Sequence, residues 1–406
     1  MNEGGEKLKK LSIIALVLII AMIFTGCSIN ELKLYDALKK TQDITSMESD
    51  TTYWFTMEGK GFTEEEQIKF EKIMNVLNHT NIKIHQKTIQ NKEKTAARGL
   101  ADMNIDFGGI SMDMKVWVDT DFSGDEFKLI EIIKPPSLIM NFIPVKDNIS
   151  KEYIVYDFQE IMSGSQGKMN TNELMEFTMG IQPRIAKIME DSKEKFNPGF
   201  EVAKYKEKRI IDGKELTIYE VKLDDAAFKK LLRYTVNHYI ENQDVIELIK
   251  EYMNIVMKMA VPENQEDQLA QEQFKKQVEE IEKQLPNIKE KFNSFMDTYK
   301  DIKIIGDNGI VIKYGVNSDG YIVYEAGNID LRIDMEDIDK NLQNKESVKK
   351  GALKFDLNFK TNIHNINKEI KLDLPVVDES NSFNIMDMIM QKPLDMPVSE
   401  EAPASM

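Results

Sequence analysis

Cysteine is almost missing from this sequence, with one residue, Cys27, in 406. That excludes a disulfide framework and any zinc centre built on several thiolates. Histidine is nearly as scarce: His79, His85, His238 and His364 are the whole supply, so a multi-histidine metal site would consume most of it, and no metal site is expected. Glycine (20) and proline (11) are too few for a collagenous or linker-like chain. An excess of positive charge is also lacking. The 53 Lys and Arg stand against 69 Asp and Glu, a formal −16. Nucleic acid is therefore not an expected partner, because phosphate binding needs a basic face. The same charge repels an anionic bilayer surface unless something else holds the chain there. HExxH, GxSxG, a P-loop and GxGxxG are all absent, so no catalytic residue and no cofactor is expected.

Hydrophobic residues make up 42%, enough for a substantial core. The strongest local pattern is at the start. Lys7, Lys9 and Lys10 precede Leu11 to Phe24, a 14-residue run that is apolar apart from Ser12. A spanning helix needs about 20 apolar residues, whereas a run of this length suits the core of a secretory signal. Phe24-Thr25-Gly26-Cys27 follows, and then the chain turns polar. These four residues resemble the bacterial lipobox, with Phe24 in the place usually held by Leu. The resemblance implies a diacylglyceryl group on the Cys27 sulfur and cleavage between Gly26 and Cys27. One acyl chain binds membranes marginally and two anchor stably. Residues 1–26 are thus expected to be a lipoprotein signal peptide, 27–30 a short linker, and the location the extracytoplasmic face of the cell membrane. A plain secretory signal with an incidental Cys is the other reading of the same residues. Removing residues 1–26 leaves 50 basic and 67 acidic groups, a net −17, so a tethered body should stand off the bilayer.

Periodicity predicts an α+β body over 31–375. Residues 31–43 read as a helix with Leu34 and Leu38 on one face, and 46–58 as a strand. Thr63-Glu64-Glu65-Glu66 is a capping box that opens a helix carrying Phe70, Ile73, Met74 and Leu77. Met103, Ile105 and Phe107 alternate with polar residues, as do Met112, Met114 and Val116. Such alternation means a sheet wet on one side, the antiparallel habit. Helical segments are expected over 172–195, with a kink at Pro183, and over 224–299, including a long helix across 263–299 bent at Pro286. Asp212-Gly213, Asn308-Gly309 and Asp319-Gly320 read as hairpin turns, Gly327 as a bulge in a strand from Tyr321 to Met335, and Ile370-Leu372-Leu374 as a last strand. Similar halves, about 31–165 and 200–375, or one long curved sheet with inserted helices would both fit. The acidic tail 376–406 is expected to be largely disordered, with Phe383 to Met390 able to dock as a short helix.

The amphipathic helix at Ala37-Leu38-Lys39-Lys40-Thr41 leading to Asp50, the alternating strands, and the Ile210-Ile211-Asp212-Gly213-Lys214-Glu215-Leu216 hairpin feeding a helix resemble lipoproteins of the LolA and LppX type. The resemblance implies a half-barrel: a curved, mostly antiparallel sheet with helices on one face. It also implies an apolar ligand between the two layers. Met103, Ile105, Phe107, Met112, Met114 and Val116 would then line the apolar face, and Met335 would join them. Flexible thioethers suit promiscuous apolar sites. If helices pack flush on the sheet, the same residues are plain core and the chain is a structural or interaction lipoprotein. Asp334, Glu336, Asp337 and Asp339 lack the Gly and distal Glu of a calcium loop and read as a charged strand end. His85 is expected to be solvated and His364 to lie in a polar turn.

Overall fold

A computed structural model describes residues 28–124, 127–140, 151–160, 171–260, 287–341 and 350–385. The signal segment with Gly26 and Cys27, residues 261–286 of the expected long helix, and the tail beyond 385 lie outside the described residues. In chain order the elements are α1 (Ile29–Gln42), β1 (Ser46–Lys60), α2 (Glu64–Leu77), β2 (Thr80–Gln90), β3 (Ala96–Phe107), β4 (Ile110–Asp121), β5 (Lys128–Lys134), α3 (Ser137–Met140), β6 (Tyr153–Asp157), α4 (Thr171–Ser192), β7 (Ala203–Ile211), β8 (Lys214–Leu223), α5 (Asp225–Ile240), α6 (Gln243–Ala260), α7 (Ile288–Thr298), β9 (Ile305–Val316), β10 (Ile322–Asp334), α8 (Met335–Asn341), β11 (Ala352–His364) and β12 (Ser382–Asn384). All described strands join one open, curved twelve-stranded sheet in the order β12-β6-β5-β4-β3-β2-β1-β11-β10-β9-β8-β7. Every pairing is antiparallel except the edge pair β12–β6. Early and late chain meet where β1 pairs with β11 over thirteen registered residues, Glu48↔His364 to Lys60↔Ala352.

Local chemistry sets most element starts. Ser28 and Glu31 close a capping box at α1, and Thr63 and Glu66 close another at α2. Glu31 is itself buried and also accepts from the backbone N–H groups of Val202 and Ala203, which ties α1 to the start of β7. Asp224 accepts from Ala227 N–H and starts α5. Asp212 and Gly213 both take positive φ, +49° and +76°, in the β7–β8 hairpin. Pro183 lies within α4, which continues to Ser192.

Several turn expectations need correction. Asn308-Gly309 is not a hairpin turn, because β9 runs through it. Pairing with β10 slips there, from Ile310↔Ile329 to Ile305↔Leu331, so the extra residues bulge out opposite Asp330. Gly309 serves close approach: a Cβ on it would come within 2.6 Å of the Leu223 carbonyl oxygen. Gly327 is not bulged, being paired in register with Ile312 and Phe359. Met335 does not extend β10 but opens α8, where the Asp334 carboxylate accepts from the N–H groups of Glu336 and Asp337. The expected last strand 370–374 is not in the sheet; Leu372 instead packs on Trp117 and Ile132. Phe383 lies in strand β12 beside β6, not in a helix.

Candidate functional site

Antiparallel pairing with period two turns the registers into rows that cross the sheet. One row runs Tyr219, Tyr314, Glu325, Thr361, Thr51, Ile84, Met103, Met114. The next runs Val221, Ile312, Gly327, Phe359, Tyr53, Ile82, Ile105, Met112. Phe107 stands opposite Ile110, and Val116 opposite Ala101 and Ile133. The structure thus brings Met103, Ile105, Phe107, Met112, Met114 and Val116 onto one face, in line with apolar residues of β8 and β9. Met335 is not among them.

The two ends of this face are covered differently. At the β7–β9 end, Tyr219, Val221 and Leu223 are buried beneath Leu34 of α1, Ile188 of α4, and Leu231 and Tyr239 of α5. At the β3–β4 end, all six residues are only half-buried, and neighbouring Ile110 is 61% exposed. In the middle, rings line the floor: Tyr53 lies 6.4 Å from Phe359, and Phe55 lies 5.9 Å from Phe355. Gly327 makes room for this, since a Cβ there would fall 2.6 Å from the Phe359 ring. Thioethers and aromatic rings together form an apolar floor of adaptable shape.

A short polar patch interrupts the floor. Thr51 and Thr361 hydroxyls share a hydrogen bond of 3.0 Å. Beside them stand Glu325 and Tyr314. Burial pushes the Glu325 carboxyl above the usual carboxylate range, and burial plus the neighbouring Glu325 pushes the Tyr314 phenol up to about 12. A carboxyl with a raised folded-state pKa favours the native state below the ordinary carboxylate range, and that contribution is lost as pH rises through the folded value. Glu325→Gln is therefore expected to stabilise the protein at pH 8 by on the order of 1 kcal/mol. The gain should disappear well below the ordinary carboxylate range, near pH 3, where Glu325 is protonated in both states. Thermal melts of the two proteins at both pH values check this.

The opposite face is charged. Lys115 pairs with Asp102 at 2.7 Å, and Asp119 accepts from Arg98 at 3.1 Å and Lys128 at 2.5 Å. Here the structure unites residues that sequence reasoning kept apart. His85 of β2 stands directly across from Asp50 of β1, and His364 ends β11 on the other flank of Asp50. Asp50 accepts from His85 Nδ1 at 2.8 Å and from His364 Nε2 at 2.9 Å, and the two rings stack with centroids 6.3 Å apart. Burial would raise the Asp50 carboxyl, but the imidazole hydrogen bonds outweigh it and hold Asp50 below its usual range. The available signal in sequence was parity: Asp50 and His85 both occupy the polar phase of their strands. Nothing local ties His364 to either, because β11 reaches β1 only through the assembled sheet. His238, the remaining helical histidine, is edged by the Phe196 and Tyr239 rings, and burial lowers its pKa.

No helix among the described residues is long and apolar enough to cross a membrane. No protein-family model matches the chain, and no curated protein matches it. Among solved structures, it is similar to the crystal structure of the Mycobacterium tuberculosis lipoprotein LppX, at 9% identity and a TM-score of 0.25, over 84% of this chain and 97% of that one.

Proposed function

We propose that this chain is a non-enzymatic, lipid-anchored protein of the extracytoplasmic membrane face that holds an apolar ligand, a lipid or a lipid-like chain, against the inner face of its curved sheet. The observation that carries this reading is the unequal cover of a single face. Rows that are sealed under α1, α4 and α5 at one end continue, in register, to half-buried Met103, Met112 and Met114 at the other. A face that served only as core would gain by being buried along its whole length, at about 25 cal/mol for each Å² removed from water. The Thr51, Thr361 and Glu325 patch offers hydroxyl and carboxyl groups to a ligand's polar end. Together, an apolar lining and a few convergent polar groups are the usual make-up of a small-molecule site.

The anchor belongs to the same reading. The apolar run Leu11 to Phe24 and the Phe24-Thr25-Gly26-Cys27 sequence support lipid attachment at Cys27, and the net negative body supports a tethered rather than surface-lying arrangement. Native mass spectrometry on the protein exported behind a cleavable secretory signal in place of residues 1–27, purified gently from the soluble extracytoplasmic fraction, tests the ligand. The expected spectrum contains a complex heavier than the chain by the mass of an apolar molecule, and solvent extraction should recover that molecule. A spectrum of bare chain with an empty extract would sink the carrier reading.

A further inference from the structure

The triad on the outer face has the make-up of a metal centre. We propose that Asp50, His85 and His364 bind a divalent transition-metal ion of the Zn²⁺ class on the charged side of the sheet. Each offers one donor atom, and these atoms all lie within 4.8 Å of one another. Two imidazoles and a carboxylate suit zinc, copper, nickel and iron rather than calcium or magnesium, which take oxygen ligands. Zinc bonds of about 2.0–2.2 Å to N and O place donors about 3.3 Å apart in a tetrahedron. Closing the triad to that spacing needs only side-chain rotation, since the three residues stand on adjacent, rigidly paired strands β2, β1 and β11. Three protein ligands leave one position open to solvent, in keeping with the partial exposure of the group, 58% for Asp50 and 33% for His364.

A supporting shell is already in place. Glu48, only 15% exposed, has Oε2 3.6 Å from His364 Nδ1, the ring nitrogen not used on Asp50. Its other oxygen lies 3.4 Å from Lys87 Nζ, and Asn365 donates to the carboxylate from the turn that follows His364. Asn365 and Asn367 both take positive φ there, and the Asn367 side chain accepts from Thr45 N–H at 2.8 Å, which pins the turn to the start of β1. Glu48 therefore stands as the carboxylate that orients a metal-bound imidazole.

The proton balance is simple for neutral rings. In the metal-free triad the His85 Nδ1 and His364 Nε2 protons are shared with Asp50. On binding, these nitrogens and the Asp50 oxygen turn their lone pairs to the metal. Each ring then carries its proton on the opposite nitrogen, His364 toward Glu48 and His85 toward water. With both rings neutral, no proton leaves the site on binding.

Titration of the full chain with Zn²⁺ by calorimetry, and with Co²⁺ by visible absorption, decides the matter. The expected result is one saturable site per chain with a tetrahedral Co²⁺ spectrum, lost in His85→Ala and in His364→Ala. Glu48→Gln is expected to weaken Zn²⁺ binding about tenfold or more by releasing the ring it orients. His79→Ala, on a histidine whose ring contacts Asn75 O at 2.8 Å away from the triad, should bind as wild type does. Circular dichroism checks the folding of each variant. Failure of the wild-type chain to bind Zn²⁺, or equal binding by the His85→Ala/His364→Ala double variant, would overturn the proposal.

Discussion

Gly306→Ala is expected to destabilise the protein by about 3–5 kcal/mol, one of the largest effects available to a single methyl group here. A Cβ on Gly306 would fall 2.0 Å from Oδ1 and 2.3 Å from Cγ of Asp330. Asp330 has no solvent exposure. Its Oδ2 accepts from Asn308 N–H at 2.9 Å and lies 4.0 Å from Lys354 Nζ, while Oδ1 has no hydrogen-bond partner among the described residues. The bulge of β9 is folded around this carboxylate. A methyl group would force it off Asn308 inside a site closed to solvent, and a buried polar group stripped of its partner is expensive. Alternatively β9 would have to lift from β10, opening the pairing that leads to Ile305, which is 1% exposed. Equilibrium urea unfolding of Gly306→Ala, Asp330→Ala and the double variant checks the claim. The double variant should be clearly more stable than the sum of the single effects, because removing the carboxylate relieves the clash. A Gly306→Ala midpoint close to wild type would refute it.

Cys27→Ala is expected to abolish incorporation of radiolabelled palmitate. If acylated as proposed, each palmitoyl-length chain contributes roughly 10 kcal/mol of membrane affinity at about 0.8 kcal/mol per buried CH₂. No other cysteine exists to replace it. Fractionation alone does not discriminate, since an unprocessed precursor keeps its apolar segment Leu11 to Phe24. Label incorporation does, and a labelled Cys27→Ala protein would refute the anchor.

Legibility in the sequence followed the range of the interaction. Capping at Thr63 and the Asp212-Gly213 hairpin depend on residues within a few positions of each other, so the linear chain carries their whole signal. The apolar phase of β3 and β4 was readable for the same reason: side chains alternate whatever the neighbouring strand is. Asn308-Gly309 misled because its local chemistry is that of a hairpin, while the buried Asp330 across the sheet holds the chain in a bulge instead. Leu372 misled because its alternation fits a strand, whereas the free surface it reaches is the outer face over Trp117.

By itself, then, the order of residues determined the α+β character, the period of each strand and the negative, single-cysteine make-up of the molecule. Only the assembled sheet decided which end of the apolar face helices would cover, and that Asp50, His85 and His364 would share one spot. Those outcomes depend on β1 pairing with β11, a contact between chain ends far apart in sequence. Its partner choice is set by the summed register and burial of the whole sheet rather than by any local run of residues.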